Sequence, residues 1–295
     1  MQEVFWQVNL RIMKLSNVSG IVRSIDPGYF PNLAIILLAI ATDITGFIVY
    51  PLLFNSTSLI ESILWGIRAG ISVFLSWAMA REIDPDHNLS ALFVAGLTFI
   101  LIFVFSFQLS GIILLVWILL IIRVLNRTSG KYASILDSLV ILGFGVWFTY
   151  QEGWVYIFIT FFVFLLDSLM ILPNKNHLYF AVISFMILFA SIISNGSMIL
   201  NIPSFLNGLI LLSVSILFLL QISASSRIRS FDDQGKCRLD SKRVRVSQLL
   251  VLITGLSIVL LGNYYGMMSM IPLWVAISGV FVYRLIIVTG KYLNL

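Results

Sequence analysis

The chain has 295 residues, 60% of them hydrophobic and 11% charged, with a mean hydropathy of +1.04; soluble domains average roughly 25% charged residues. That composition excludes a water-soluble fold, a disordered chain and a disulfide-stapled domain, since there is one cysteine, Cys237. A net charge of +5 spread along the chain also leaves no concentrated basic face for nucleic acid.

The first 32 residues read as a cytoplasmic segment without the apolar core and cleavage site of a signal peptide. Val4, Phe5, Val8, Ile12 and Leu15 share one helical face with Arg11 and Lys14 off it, an interfacial amphipathic pattern that Trp6 and Met13 interrupt. Apolar segments follow at about residues 33–54, 59–80, 90–108, 110–125, 135–150, 154–172, 178–194 and 205–222, then at about 248–268 and 271–288. Runs such as IILLVWILLII lack the alternation of a membrane barrel, and lipid leaves open backbone groups without partners. The expected fold is an all-α, polytopic transmembrane bundle of about ten spans; the short segments 110–125 and 135–150 leave nine or eleven open. Residues 33–222 hold spans one to eight, 223–247 form a basic cytoplasmic loop, 248–288 hold the last two spans and 289–295 are a tail. The composition of the loop, SSRIRSFDDQGKCRLDSKRVR, predicts a solvated linker attracted to anionic lipid, with an inert Cys237 thiol.

Orientation follows from the basic residues, which collect on the cytoplasmic side. With the N terminus inside, 17 of the 18 lysines and arginines fall in cytoplasmic segments, and the remaining one, Arg68, sits within a span. Both termini are therefore expected inside, in a multi-pass protein of the cytoplasmic membrane of a prokaryote. The stretches RVLNRTSGKYASIL and YRLIIVTGKYLNL are alike, a faint sign of helical hairpins as the building unit.

Ionisable groups at bilayer depth are functional candidates by default. Asp43 and Arg68 lie about 15 and 18 Å from the cytoplasmic ends of adjacent antiparallel spans, counted at 1.5 Å per residue. At nearly equal depth they predict either an ion pair fixing the hairpin or a midplane site for an anion or proton, with Pro51 supplying a kink. Gly66 and Gly70 flank Arg68 in a spacing that lets backbones approach closely.

The second constellation is at the cytoplasmic mouth. Span two runs into Arg81-Glu82-Ile83-Asp84-Pro85-Asp86-His87-Asn88, where Asp84 and Asp86 flank a turn-forming proline and, with His87, are candidate ligands for Mg²⁺ or a softer metal. The next loop brings Arg123, Asn126, Arg127 and Lys131, with Asp137 just inside span five; the one after brings Asp167, Lys175, Asn176 and His177. Short turns on one face hold these groups near one another, and mixed acids and bases suit a metal-bridged phosphate or diphosphate. The competing reading is of ordinary polar turns, with Asp-Pro-Asp as a helix cap.

In layout the chain resembles the UbiA-type prenyltransferases, whose Asp-rich motifs after spans two and six bind Mg²⁺ and an isoprenoid diphosphate. REIDPDHN follows span two here and DSLMILPNKNH covers the end of span six. The family's Asn-Asp-x-x-Asp core is missing, because SWAMAREI precedes Asp84; the second motif keeps only Asp167, and ten spans exceed the usual nine.

The first expectation is thus a transferase-like membrane protein handling an anionic lipid or isoprenoid. Asp84, Asp86 and His87 hold a metal, Arg81, Arg123, Arg127 and Lys131 hold phosphate, and Asp137 or Asp167 orients either set. The alternatives are a secondary transporter with Asp43 and Arg68 in its substrate site, and a non-catalytic scaffold contacting partners through residues 223–247.

Overall fold

A computed structural model describes residues 19–292 except 24, 56, 106–108 and 196–201, and leaves the side chains of residues 195, 262–265 and 290–292 undescribed. The amphipathic pattern of the first 18 residues lies outside this range. Among the described residues there are ten α-helices and no strand, one at each position read from the apolar runs. They are α1 (Phe30–Phe54), α2 (Leu59–Ile83), α3 (Asn88–Phe105), α4 (Ile112–Asn126), α5 (Ile135–Glu152), α6 (Val155–Leu169), α7 (Lys175–Asn195), α8 (Phe205–Ala224), α9 (Ser241–Ser269) and α10 (Ile271–Tyr292).

Seven of these, α1, α2, α3, α7, α8, α9 and α10, are long and apolar enough to cross a membrane, and α4 and α6 are apolar helices of 15 residues. Their outward faces carry Leu37, Ile48, Val104, Phe189 and Leu212, each more than half exposed. Between the helices sit small hydroxyl residues whose protons return to their own backbone: Thr42 to Leu38 O at 2.7 Å, Ser76 to Val73 O at 2.8 Å, Thr98 to Val94 O at 2.9 Å. Apolar outside with small, internally satisfied polar groups inside is the pattern that lipid demands, and the chain is a multi-pass membrane protein in that sense.

The chain divides into two compact units. One comprises residues 26–119, 200–227 and 251–295. Within it α1 packs on α2, α2 on α3, and α10 on α2, α3 and α8. A turn led by Asp26 starts α1, with Gly28 N donating to Asp26 Oδ1 at 2.9 Å and Pro31 in the first turn, where a missing N–H is harmless. Pro51 falls in the last turn of α1, four residues before the left-handed Asn55 cap, so it marks the helix end and supplies no mid-span kink. Helices α1 and α2 meet at glycines: a Cβ on Gly66 would stand 2.5 Å from Asp43 O, and one on Gly46 2.9 Å from Gly66 Cα. The small-residue spacing read from the sequence is used for this approach.

The other unit comprises the described residues among 19–25, 120–195 and 228–250, with α5, α6 and α7 packed on one another. Helix α5 opens on a reciprocal cap: Ser134 Oγ accepts from Asp137 N at 3.2 Å, and Asp137 Oδ2 accepts from Ser134 N at 2.8 Å. Residues 228–240, expected as a solvated linker, form an ordered hairpin. Leu239 N donates to Ser230 O at 3.0 Å, Asp232 N to Cys237 O at 2.9 Å, and Gly235 closes the turn at φ +66°. Ile228, Leu239 and Val244 are buried together beneath it. A polar composition permits such a fold when its acids are spent on turns, as Asp232 is on Lys236 N and Asp240 on Lys242 N, both at 2.8 Å.

Candidate functional site

Among the described residues a dense charge cluster centres on Asp167, in the last turn of α6 and 1% exposed. A carboxylate at a helix C-terminus opposes the helix dipole, so its presence there calls for cations. Two arginines supply them, and a histidine ring lies alongside. Arg127, just past the end of α4 with φ +54°, places Nη2 2.9 Å from both carboxylate oxygens and Nε 3.2 Å from Oδ1. Arg243, in the first turn of α9, donates from Nη1 to Oδ1 at 2.6 Å. His177, in the first turn of α7, brings Nδ1 within 2.8 Å of Oδ2, off the direction of a well-aligned hydrogen bond. Arg243 also donates to Leu125 O at 3.1 Å and to Ile171 O at 2.8 Å, which ties the carbonyl ends of α4 and α6 to the start of α9.

Ser138 Oγ lies 3.0 Å from His177 Nε2, so Ser138, His177 and Asp167 stand in the order of a nucleophile, base and orienting acid. The chemistry does not follow. Ser138 Oγ already donates to Ser134 O at 2.9 Å, all three side chains are buried, and neither cavity described below is lined by Ser138 or His177. The chain of contacts locks the ends of α5, α6 and α7.

Beside this cluster is a cavity of about 150 Å³ lined by Arg127, Lys131, Arg238 and Arg243, by Asp232 and Asp240, and by apolar Tyr132, Ile171, Leu172 and Leu239. Three loops form it: the one after α4, the one after α6 and the hairpin before α9. The Arg127 guanidinium lies 4.3 Å above the Tyr132 ring centre, which holds it flat against the wall. Sites that enclose a whole small molecule measure roughly 300–1,000 Å³, so this one has room for a headgroup.

The other sequence candidates separate. Asp137 is taken by its own cap and by a strap of residues 19–20, accepting from Ser19 Oγ at 2.5 Å and Gly20 N at 2.8 Å. Arg123 donates to Ile21 O at 3.3 Å in the same strap. In the other unit Arg81 donates to Asn32 Oδ1 at 3.2 Å and lies 5.4 Å above the Trp77 ring. Asp84 is buried with both oxygens within 3.1 Å of His87 Nδ1, and this carboxylate contact holds the His87 imidazole above its ordinary pKa. Among the described residues no three His, Cys, Asp or Glu side chains gather as a metal-binding group.

Asp43 and Arg68 form no ion pair. Gly66 and Gly70 face α1, and at about 100° per residue the side chain between them points to the opposite side of α2. Arg68 is exposed, while Asp43 is half-buried in a shallow groove with Ile67, Gly70 and Ile71. Of the residues singled out in the sequence, Arg127, Asp167 and His177 meet and Lys131 shares a cavity with Arg127, whereas Arg243, Arg238, Asp232 and Asp240 join them from a stretch read as a linker. The Phe-Asp-Asp-Gln-Gly turn and the helix-starting Asp240-Ser-Lys-Arg were the available signals. Comparison with protein-family models, with curated proteins and with solved structures finds no match.

Proposed function

We propose that the protein holds the phosphate-bearing headgroup of an anionic lipid or isoprenoid in the basic cavity, on the side that the charge rule makes cytoplasmic, and that group transfer on that headgroup is the chemistry it serves. The observation that supports this is the convergence of Arg127, Lys131, Arg238 and Arg243 on one cavity, with a single carboxylate, Asp167, behind two of them. Asp232 and Asp240 share the wall, but each spends an oxygen on a backbone N–H. Guanidinium groups fork onto phosphate oxygens, and burial strengthens that attraction. The rim suits a tail: Tyr132, Ile171 and Leu172 are each more than half exposed. Asp167 acts here by positioning Arg127 and Arg243.

The transport alternative needs Asp43 and Arg68 at one site and gains nothing from Arg68 turning away. Titration of geranyl diphosphate and of a short-chain phosphatidic acid into the protein in lipid nanodiscs tests the proposal. Lys131→Glu and Arg238→Glu should each weaken binding at least tenfold, about 1.4 kcal/mol. Wild-type affinity in both variants would sink it and favour the scaffold reading.

A further inference from the structure

We propose that the exposed face of the α1–α2 hairpin is an interface between two copies of this chain, with Asp43 of each copy set against Arg68 of the other. Counted from the turn that joins the helices, Asp43 lies about 16 Å and Arg68 about 14 Å along α1 and α2. Both stand near the middle of a hydrocarbon layer about 30 Å thick. Neither has a hydrogen bond or ion pair among the described residues. A charge left facing lipid at that depth costs several kcal/mol, and each of these opposes the other's sign.

The arrangement is self-complementary in the way a two-fold axis along the membrane normal requires, because such an axis keeps every residue at its own depth. Gly66 stands against the Asp43 carbonyl and Gly70 against the Asp43 Cβ, which places Asp43 level with the residue midway between them, Arg68. Equal depth would be of no use for pairing within the chain, since the same glycine contacts turn Arg68 away from α1. It lets Asp43 of one copy meet Arg68 of the other twice over. The rest of the face fits a helix-to-helix contact: α1 is only 17% buried over its apolar stretch, and Ile40, Ile67 and Ile71 beside Asp43 are all exposed around a groove of about 270 Å³.

The test is performed on full-length protein in native membrane vesicles. In a Cys237→Ser background, Ile71→Cys should form an intermolecular disulfide on mild oxidation and Ile100→Cys, on α3, should not. Asp43→Arg alone and Arg68→Asp alone should each lower the Ile71→Cys cross-link at least tenfold. Co-expressed with different tags, the two variants should cross-link to each other at the wild-type level, because one copy then carries both arginines and the other both aspartates. Asp43→Asn and Arg68→Gln, which keep size and shed charge, should show the same loss singly, so a folding failure of the reversed variants does not decide the matter. An Ile71→Cys chain with Asp43 and Arg68 intact that yields no cross-link, or single charge variants that cross-link as well as that chain, overturns the proposal; so does absence of rescue in the mixed pair when both chains are inserted.

Discussion

Replacing Asp167 by Asn keeps the shape of the side chain and removes the charge that two arginines share. Arg127 loses a forked contact at 2.9 Å to each oxygen and Arg243 one at 2.6 Å, and the new amide turns an N–H₂ toward a cation. The two guanidinium side chains, 12% and 5% exposed, then have little water to take over the lost role. Removing one partner of a buried pair costs about 3–5 kcal/mol. The second stranded cation raises that figure, and the carbonyls of Leu125 and Ile171, which still accept from Arg243, lower it. An expected loss of about 4 kcal/mol is a large part of the roughly 5–15 kcal/mol that holds a domain folded. In detergent micelles it should lower Tm by about 8–16 °C, at about 2–4 °C per kcal/mol for a chain of this class of size. Asp167→Asn combined with Arg243→Met should recover part of the loss. A shift equivalent to less than about 1 kcal/mol, as exposed pairs give, would refute the reasoning that Asp167 is the buried counter-charge of this cluster.

Asp137→Ala removes the cap of α5 and the anchor of residues 19–20 together; it should cost about 2 kcal/mol and hasten proteolysis near residue 20, whereas unchanged cleavage would separate the strap from the cap. Gly66→Val presses a side chain onto the Asp43 carbonyl 2.5 Å away and should cost at least about 3 kcal/mol or abolish accumulation in the membrane, measured by thermal unfolding. The His87 imidazole is held above its ordinary pKa of 6.5, first by its hydrogen bond with Asp84, against burial and the charge of Arg284. The protonated form gains its partner only in the folded chain. That contribution to stability is therefore complete below about pH 6.5 and fades as pH rises through the raised value. His87→Gln should flatten the pH dependence of Tm across that window, and an identical profile would show that the contact carries no pH-linked stability.

The helices were legible because lipid imposes one rule on every span, and apolar runs with polar ends report it directly. Charge geometry was legible only where loop length forced it. The loop after α4 and the loop after α6 are short, so Arg127, Asp167 and His177 had few places to go other than together. Arg243 was hidden because the basic stretch 223–247 has the composition of a solvated linker; only the turn geometry of Asp232 and the helix start at Asp240 distinguish a folded hairpin from a loose one. Arg68 carries the opposite lesson. Its flanking glycines permit close approach, and their spacing also fixes the direction of the residue between them. Proximity in sequence groups the acids of the mouth, while Asp84 and Asp137 each complete a local turn or cap.

The measurement that bears most directly on the central claim is native mass spectrometry of the protein extracted from its own membrane. The wild-type chain should carry a phosphate-bearing lipid, and a Lys131→Glu, Arg238→Glu variant with unchanged Tm should carry it at no more than a tenth of that occupancy. Equal occupancy in the two folded proteins, or no retained phosphate-bearing lipid in either, would contradict headgroup binding at the basic cavity.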